Sequence, residues 1–316
     1  MGEFELIERH FVRATPRAAL GPGDDCALLA PAPGQQLAVT SDMLLEGRHF
    51  LATVPPVRLG HKALAVNLSD LAACGARPLA FTLALSLPRA DEGFAAALAR
   101  GLFALADAHD VELVGGDTTA GALSLCITAI GEVPAGGALL RSGARAGDQL
   151  WVSGHLGDAR LALEVFRGHA ALPAADFEAV RLAMECPQPR VALGLALRGL
   201  ASSAIDVSDG LLGDLGHILR RSRVGARLEL SALPCSAALA AQPQALRQEC
   251  LLRGGDDYEL LFTAPPHREA AVRAAGVAGG VAVTPIGVIT AEPGLLAVDH
   301  DGRVQALPAR GFDHFA

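Results

Sequence analysis

Four runs of small and apolar residues in this chain each end on an aspartate: LAVTSD at Asp42, LAVNLSD at Asp70, VELVGGD at Asp117 and SAIDVSD at Asp209. Apolar runs build core elements, so each of these carries a carboxylate out of the core. Two like charges about 4 Å apart repel by about 4 kcal/mol at an effective dielectric near 20. Several such pairs would strain a fold whose whole stability is about 5–15 kcal/mol. A hard divalent cation with oxygen ligands removes that strain, and a phosphate is the usual reason to hold one. The pattern points to magnesium–nucleotide chemistry.

The flanking residues sharpen this expectation. Gly21-Pro22-Gly23-Asp24-Asp25 builds a tight turn carrying paired carboxylates, which is either a solvated turn or part of an ion site. Thr40, Ser41 and Asp42 add two hydroxyls and a carboxylate on one short loop, although strand periodicity alone puts Thr40 and Asp42 on one face and Ser41 on the other. Asn67 and Asp70 share a helical face with Lys62 nearby, either as a wet side or as part of the site. Gly115-Gly116-Asp117 follows a strand, where paired glycines let backbone N–H groups approach a phosphate. Asp206 sits inside the apolar run before Ser208 and Asp209, where an unpaired carboxylate is costly. Ser208 or Asp209 can also simply cap the next helix, which leaves Asp206 unexplained. Gly254-Gly255-Asp256-Asp257-Tyr258-Glu259 adds three acids before a strand, Arg141 offers a cation for a phosphate, and 154–158 forms a possible anion-binding turn. His49, Trp151 and Phe312 have ordinary readings as an exposed histidine, a core aromatic and a tail anchor.

Composition sets the frame. The 316 residues are 51% apolar, which excludes a mainly disordered chain and is enough for two domains, expected at 1–135 and 147–316 around a Gly/Ala-rich connection at 134–147. No apolar run reaches the roughly 18 residues needed to span a bilayer. The acidic N-terminus lacks the basic start of a signal peptide, and Phe4, Ile7 and Phe11 fall on one helical face. A cytoplasmic protein with no membrane partner is expected. Six cysteines stand singly, which excludes a standard zinc site and argues against a disulfide framework. A net charge of −8 without a basic tract argues against nucleic acid. Lys62 is the single lysine and lies outside any P-loop motif, so the chain is no conventional P-loop kinase.

Strand-length apolar runs alternate with Ala/Leu-rich helical stretches, the pattern of an α/β or α+β architecture. Strands are expected at 26–30, 37–40, 79–87, 111–114, 123–133, 149–153, 203–207, 227–230, 258–263 and 282–289. Helices are expected at 57–74, 94–109, 190–200, 211–221 and 267–275, with a closing hairpin at Asp301-Gly302. In this reading Asp70 projects from a helix, while Asp42, Asp117 and Asp209 follow strands.

In order, GPGDDCALL, TSDMLLEGRHF, KALAVNLSDLAACGARP, GGDTT, LLRSGARAGD, AIDVSDGLLGDLGHI and GGDDYELLFT closely resemble the thiamine-monophosphate kinase family. That family lies within the ATP-binding superfamily of aminoimidazole ribonucleotide synthetase and selenophosphate synthetase. The likeness runs over essentially the whole chain. It implies two α/β domains, with the N-terminal sheets of two subunits pairing into a barrel across a homodimer and the second domain closing the substrate site. It implies transfer of a phosphoryl group from ATP to thiamine monophosphate, giving thiamine diphosphate, with several Mg2+ ions and K+ as a further candidate cation. Asp25, Thr40, Ser41, Asp42, Asp70, Asp117, Asp206 and Asp209 match its magnesium ligands. Gly116, Asp117, Arg141 and Ser208 match nucleotide positions, and His49, Asp256 and Phe312 match contacts to thiamine phosphate. No acid–base residue is implied; Lys62 is the one candidate for a direct catalytic role.

Three positions depart from the family pattern: Pro22 stands for Ile, Asp256 for Glu, and Arg48 for a small or polar residue. The alternatives are a sister enzyme acting on another acceptor, or a non-catalytic protein that binds magnesium nucleotide. The selenide enzymes carry a reactive cysteine near the N-terminus, and the expected placement of Cys26 inside a strand argues against that sister.

Overall fold

The computed structural model describes residues 2–22 and 26–308. Asp25 and Phe312 therefore lie outside the described residues. The chain forms two compact units, one running to Leu71 and including Ala76–Gly136, the other comprising Ala72–Gly75 and the chain from Gly137 onward.

The first unit runs α1 (Glu3–His10), β1 (Gln35–Leu45), α2 (Pro56–Ala73), β2 (Arg77–Leu87), α3 (Glu92–Ala108), β3 (Glu112–Ala120) and β4 (Ser124–Pro134). Its strands make one sheet in the order β1-β4-β2-β3. Only β2 and β3 run parallel, joined through α3 as a crossover; β4 is antiparallel to both its neighbours. Phe81, Leu83, Leu85, Leu125, Ile127 and Ala129 are buried on the side that carries α2. The other side stays open, with Leu37, Val39, Met43 and Leu45 of β1 between 40% and 63% exposed.

α2 forms where the sequence predicts it. Pro55-Pro56 precede its first turn, and it ends at Gly75 with φ +63°, where Gly75 N donates to Ala72 O and Ala76 N to Leu71 O. It packs against α3 at unusually close range. A Cβ on Gly60 would lie 2.0 Å from Leu98 O, and one on Gly101 would lie 1.7 Å from Val57 O. Backbone meets backbone at this crossing, so neither position has a side chain that could yield.

The second unit runs β5 (Gln149–Ser153), α4 (Asp158–Phe166), α5 (Ala174–Glu185), α6 (Val191–Ala196), β6 (Ser203–Asp206), α7 (Leu211–Ser222), β7 (Gly225–Glu229), α8 (Ala237–Ala240), α9 (Gln244–Arg253), β8 (Leu260–Ala264), α10 (Glu269–Ala278), β9 (Val283–Thr290), β10 (Gly294–Val298) and β11 (Val304–Ala306). The sheet order is β11-β10-β7-β9-β5-β8-β6, antiparallel except between β7 and β10. β6 and β8 are buried at every position. Trp151 stacks on Phe262 at 6.4 Å between ring centroids, with Arg273 over the Trp151 ring. Among the described residues no helix is long and apolar enough to cross a membrane.

Several expectations require correction. Residues 26–30 form no strand: Leu28 makes one isolated bridge to Leu20 and is half-exposed, so the short apolar run has no sheet to join. Cys26 is exposed on a bend, which removes the argument drawn from its placement in a strand. β1 and β3 continue through Asp42 and Asp117 instead of stopping before them. Their neighbours keep the hydrogen-bond ladder going, and pairing, not apolarity, sets strand length. On α1, Leu6 and Phe11 are buried while Phe4 is 81% exposed. The helix expected at 190–200 stops at Ala196, and α5, α8 and α9 were not anticipated.

Gly60→Ala or Gly101→Ala should destabilise the protein by about 1–3 kcal/mol by forcing α2 and α3 apart. Denaturant unfolding followed by far-ultraviolet circular dichroism measures this loss.

Candidate active site

In the first unit the site is built where β1 passes along α2. Even-numbered residues of β1 face the helix. The Thr40 hydroxyl donates to Asp70 Oδ2, and Asp42 N donates to Asn67 Oδ1 at 3.2 Å. Asn67 is fully buried, and its amide nitrogen donates to Ala63 O one turn back at 3.1 Å, which fixes the oxygen toward Asp42. The face carrying Lys62 and Asn67 is therefore not a wet side, since both are buried. Beyond β1, His49 Nδ1 accepts from Leu45 N at 3.0 Å, and its carbonyl accepts from Lys62 Nζ at 3.3 Å. Thr40, Asp42, Asp70, Lys62 and His49 thus share one side of the unit.

Ser41 points to the opposite face, as the strand period predicts, and its hydroxyl meets Thr128 Oγ1 at 3.0 Å and Ile127 O at 3.2 Å. Asp117 is also on that open face, in register with Ala84, which pairs with Cys126, which pairs with Met43. β1 and β3 are the two edges of the sheet, so Asp42 and Asp117 stand three strand spacings apart, about 14 Å. One ion cannot be shared between them within a single copy. Gly116 has φ +150°, and a Cβ there would lie 1.9 Å from Leu83 O, so only glycine fits this approach to β2.

In the second unit Asp206 ends β6 in the core, 3% exposed, and Ser208-Asp209-Gly210 leads into α7. Asp214, one turn into α7, turns back so that its Oδ2 accepts from Ser208 N at 3.1 Å and Asp209 N at 3.0 Å. Burial, together with the charges of Asp206 and Asp209, pushes the Asp214 carboxyl up to about 8. Three acids are crowded here within electrostatic reach. The nearby His217 lies below its usual range, first because of burial and then because of Arg220 and Arg141, while Asp209 acts in the opposite sense. Arg141 and Asp209 are therefore neighbours of one imidazole.

The loop before β8 locks onto this segment. Val207 N donates to Glu259 O, Tyr258 N to Val207 O and Asp256 N to Ser208 O, all at 2.8–2.9 Å. A Cβ on Gly255 would come within 2.3 Å of Ser208 O. Asp256 and Tyr258 both have positive φ, 67° and 51°, and the Tyr258 hydroxyl donates to Asp256 Oδ1 at 3.1 Å. A tyrosine in that region is a strained placement of the kind that gathers at functional sites. Asp256 and Ser208 are thereby held side by side.

Asp214 went unread in the sequence, and Asp257 and Glu259, read there only as acids before a strand, take structural places. Asp214 looks like an ordinary acid in a helix's first turn; the signal was its place on an otherwise apolar face. Glu259 is buried, paired with Arg190 and bound by the Ser153 hydroxyl, so it is structural. Asp257 explains the anion-binding turn: Gly157 N, at the start of α4, donates to both Asp257 carboxylate oxygens at 2.9 and 3.0 Å. The anion at that turn is the chain's own. Burial still pushes Asp257 well above the usual carboxylate range.

Among the described residues, the one group of three acids or histidines with ligand atoms within 4.8 Å of each other is the half-buried Asp299 with the exposed His300 and Asp301, in the closing hairpin. Within the first unit the predicted ligands fall into two sets, Thr40, Asp42 and Asp70 on the helix side and Asp117 on the open face; the second unit offers Asp206 and Asp209. Their donors are all hard oxygens, and the repulsion felt by Asp214 shows that the second-unit set is held against its own charge. That chemistry fits Mg2+.

The fold is a two-domain mixed α/β architecture, and comparison with known proteins gives its family. Residues 23–133 match the N-terminal domain of AIR synthase related proteins, and residues 145–299 match the C-terminal domain. The chain is 46% identical to the thiamine-monophosphate kinase of Escherichia coli K12 over 322 aligned positions, covering 100% of this chain and 98% of that protein. The crystal structure of the Stenotrophomonas maltophilia K279a thiamine-monophosphate kinase is 47% identical, with a TM-score of 0.86 over 95% of each chain. AaThiL complexed with AMPPCP and TMP is 27% identical, with a TM-score of 0.77, covering 99% of this chain and 96% of that one. The chain belongs to the AIR synthase related family, in its thiamine-monophosphate kinase branch.

The Asp214 shift sets a pH dependence. Its carboxyl is protonated below pH 4 whether the chain is folded or not; between about 4 and 8 the unfolded chain ionises while the folded one resists, so stability falls as pH rises. Asp214→Asn should therefore stabilise the metal-free protein increasingly from pH 5 to pH 8, by up to about a few kcal/mol. Paired thermal melts at the two pH values check this, and added Mg2+ should narrow the gap.

Proposed function

We propose that this kinase transfers the γ-phosphoryl group of ATP directly to the phosphate of thiamine monophosphate, with Mg2+ held by the acid sets described above. Likeness to thiamine-monophosphate kinases along the whole chain carries this reading. The first unit offers Thr40, Asp42 and Asp70 as magnesium ligands, with Asp117 beside Gly116 as a separate position for metal and nucleotide. The second unit offers Asp206 and Asp209, with Ser208 and Arg141 toward the nucleotide. His49 and Asp256 are read as contacts to thiamine phosphate. Asp25 and Phe312, assigned to metal and substrate from the sequence, lie outside the described residues.

The acceptor has a second pKa near 6, so at neutral pH it is already largely a dianion and needs no strong base. The difficulty is to bring two polyanions together. Mg2+, when bound by these acids, would supply charge neutralisation for the two phosphates. The chain's own residues hold the ligand oxygens in place: Asn67 fixes the backbone at Asp42, Asp70 receives the Thr40 hydroxyl, and Asp214 pins the Ser208–Asp209 amides. The transfer is read as in-line and direct, without a phosphoenzyme.

A homodimer is part of this reading. The open face of the first sheet leaves apolar side chains uncovered, with Val39 and Met43 63% and 57% exposed, and a second copy of the same face would cover them. The six cysteines are free, which suits the reducing cytoplasm we assign.

The deciding assay is ATP turnover with and without thiamine monophosphate, formation of thiamine diphosphate being the expected result. Turnover on another acceptor would favour a sister activity, and binding without turnover a non-catalytic role. Asp42→Asn, Asp117→Asn and Asp209→Asn should each lower kcat by about two orders of magnitude or more, while leaving metal-free stability unchanged or raised. Near-normal turnover in all three would remove the metal assignment.

A further inference from the structure

Lys62 is the chain's single lysine and is 2% exposed, a placement lysine almost never takes unless paired. Its Nζ donates to the carbonyl of His49 at 3.3 Å. That histidine belongs to the turn following β1, where Gly47 N donates to Phe50 O at 2.8 Å and His49 N to Leu45 O at 2.9 Å. The turn also binds the imidazole ring, since Leu45 N donates to His49 Nδ1 at 3.0 Å. A ring nitrogen that accepts from a backbone N–H carries no proton itself, so the neutral ring holds its proton on Nε2.

The contact belongs to a series that ties β1 and its turn to α2. Thr40 meets Asp70, Asp42 meets Asn67, and His49 meets Lys62. The strand advances as the helix recedes, so the two run antiparallel, with Lys62 and Asn67 buried along the seam. The first two contacts involve the metal-ligand candidates; the third reaches the substrate candidate.

We propose that Lys62 is a positioning residue for the acceptor site: its buried ammonium anchors the His49 carbonyl and so sets the orientation and tautomer in which His49 meets thiamine monophosphate. This deepens the reading of His49 under Proposed function and rests on it. Lys62 has no part in the transfer step itself; it acts through the turn.

Lys62→Met keeps length and apolar volume and removes the donor. Lys62→Met should raise the KM for thiamine monophosphate about tenfold or more, the size expected for a lost charged hydrogen bond, while leaving the KM for ATP within about twofold. Combined with His49→Ala, it should add little, because both changes remove the same presentation of the ring. The His49 side-chain 15N signals should show an acceptor Nδ1 in the parent enzyme and shift toward a tautomer mixture in the variant. If Lys62→Met does not fold, Lys62→Gln takes its place in the same three measurements. An ordinary KM in His49→Ala overturns the substrate reading and this assignment with it. A raised KM in His49→Ala on which the Lys62 change still exacts its full effect, or equal damage to both substrates with unmoved His49 signals, overturns the Lys62 assignment alone.

Discussion

The polar edge of α2 is the constraint on which the first unit turns. A helix so deeply set cannot carry a lysine, an asparagine and an aspartate inward unless each meets a partner, because an unsatisfied buried amide costs about 1–3 kcal/mol and a lone charge costs more. β1 and its turn supply the partners. The requirement works in both directions: α2 needs the strand for solvation, and the strand needs α2 to hold Thr40, Asp42 and His49 still. Stability and site geometry are therefore one set of hydrogen bonds. The glycine crossing at Gly60 and Gly101 serves the same end by pressing α2 against α3 and leaving it no freedom to shift.

The second unit solves a different problem. There the acids repel one another, and the cost is carried by Asp214, whose carboxylate receives two backbone amides and still resists ionisation. The strained Tyr258 and Asp256 are locked onto Val207 and Ser208 by main-chain bonds, so the loop cannot relax away from the acids. The site is preorganised by backbone pairing, which side-chain repulsion does not undo. Asp257 shows the opposite outcome: its charge is spent inside the protein on the α4 N-terminus and is not offered to a ligand.

Much of this was legible in the residues. The run at 79–87 and the helix between Pro56 and Gly75 declared themselves by apolar periodicity and by their punctuation, and the apolar run around Asp206 foretold its burial. What stayed hidden depended on partners distant in the chain. Nothing in LAVTSD tells that β4 pairs with it through Leu45, so Asp42 and Thr40 read as a loop. Nor does VELVGGD reveal that β3 lies at the far edge from β1, which turns one imagined cage into separated ligand sets. Asp214 was missed because helix position alone explains an acid there, and its true role is visible only once it folds back onto Ser208 and Asp209.

The chain has one tryptophan and one tyrosine, and both lie in the second unit, Trp151 stacked in its core and Tyr258 on the strained loop. The first unit is consequently dark to intrinsic fluorescence. An emission melt excited selectively at tryptophan tracks Trp151 alone, so loosening around α2 would pass unseen by that probe while showing plainly in calorimetry.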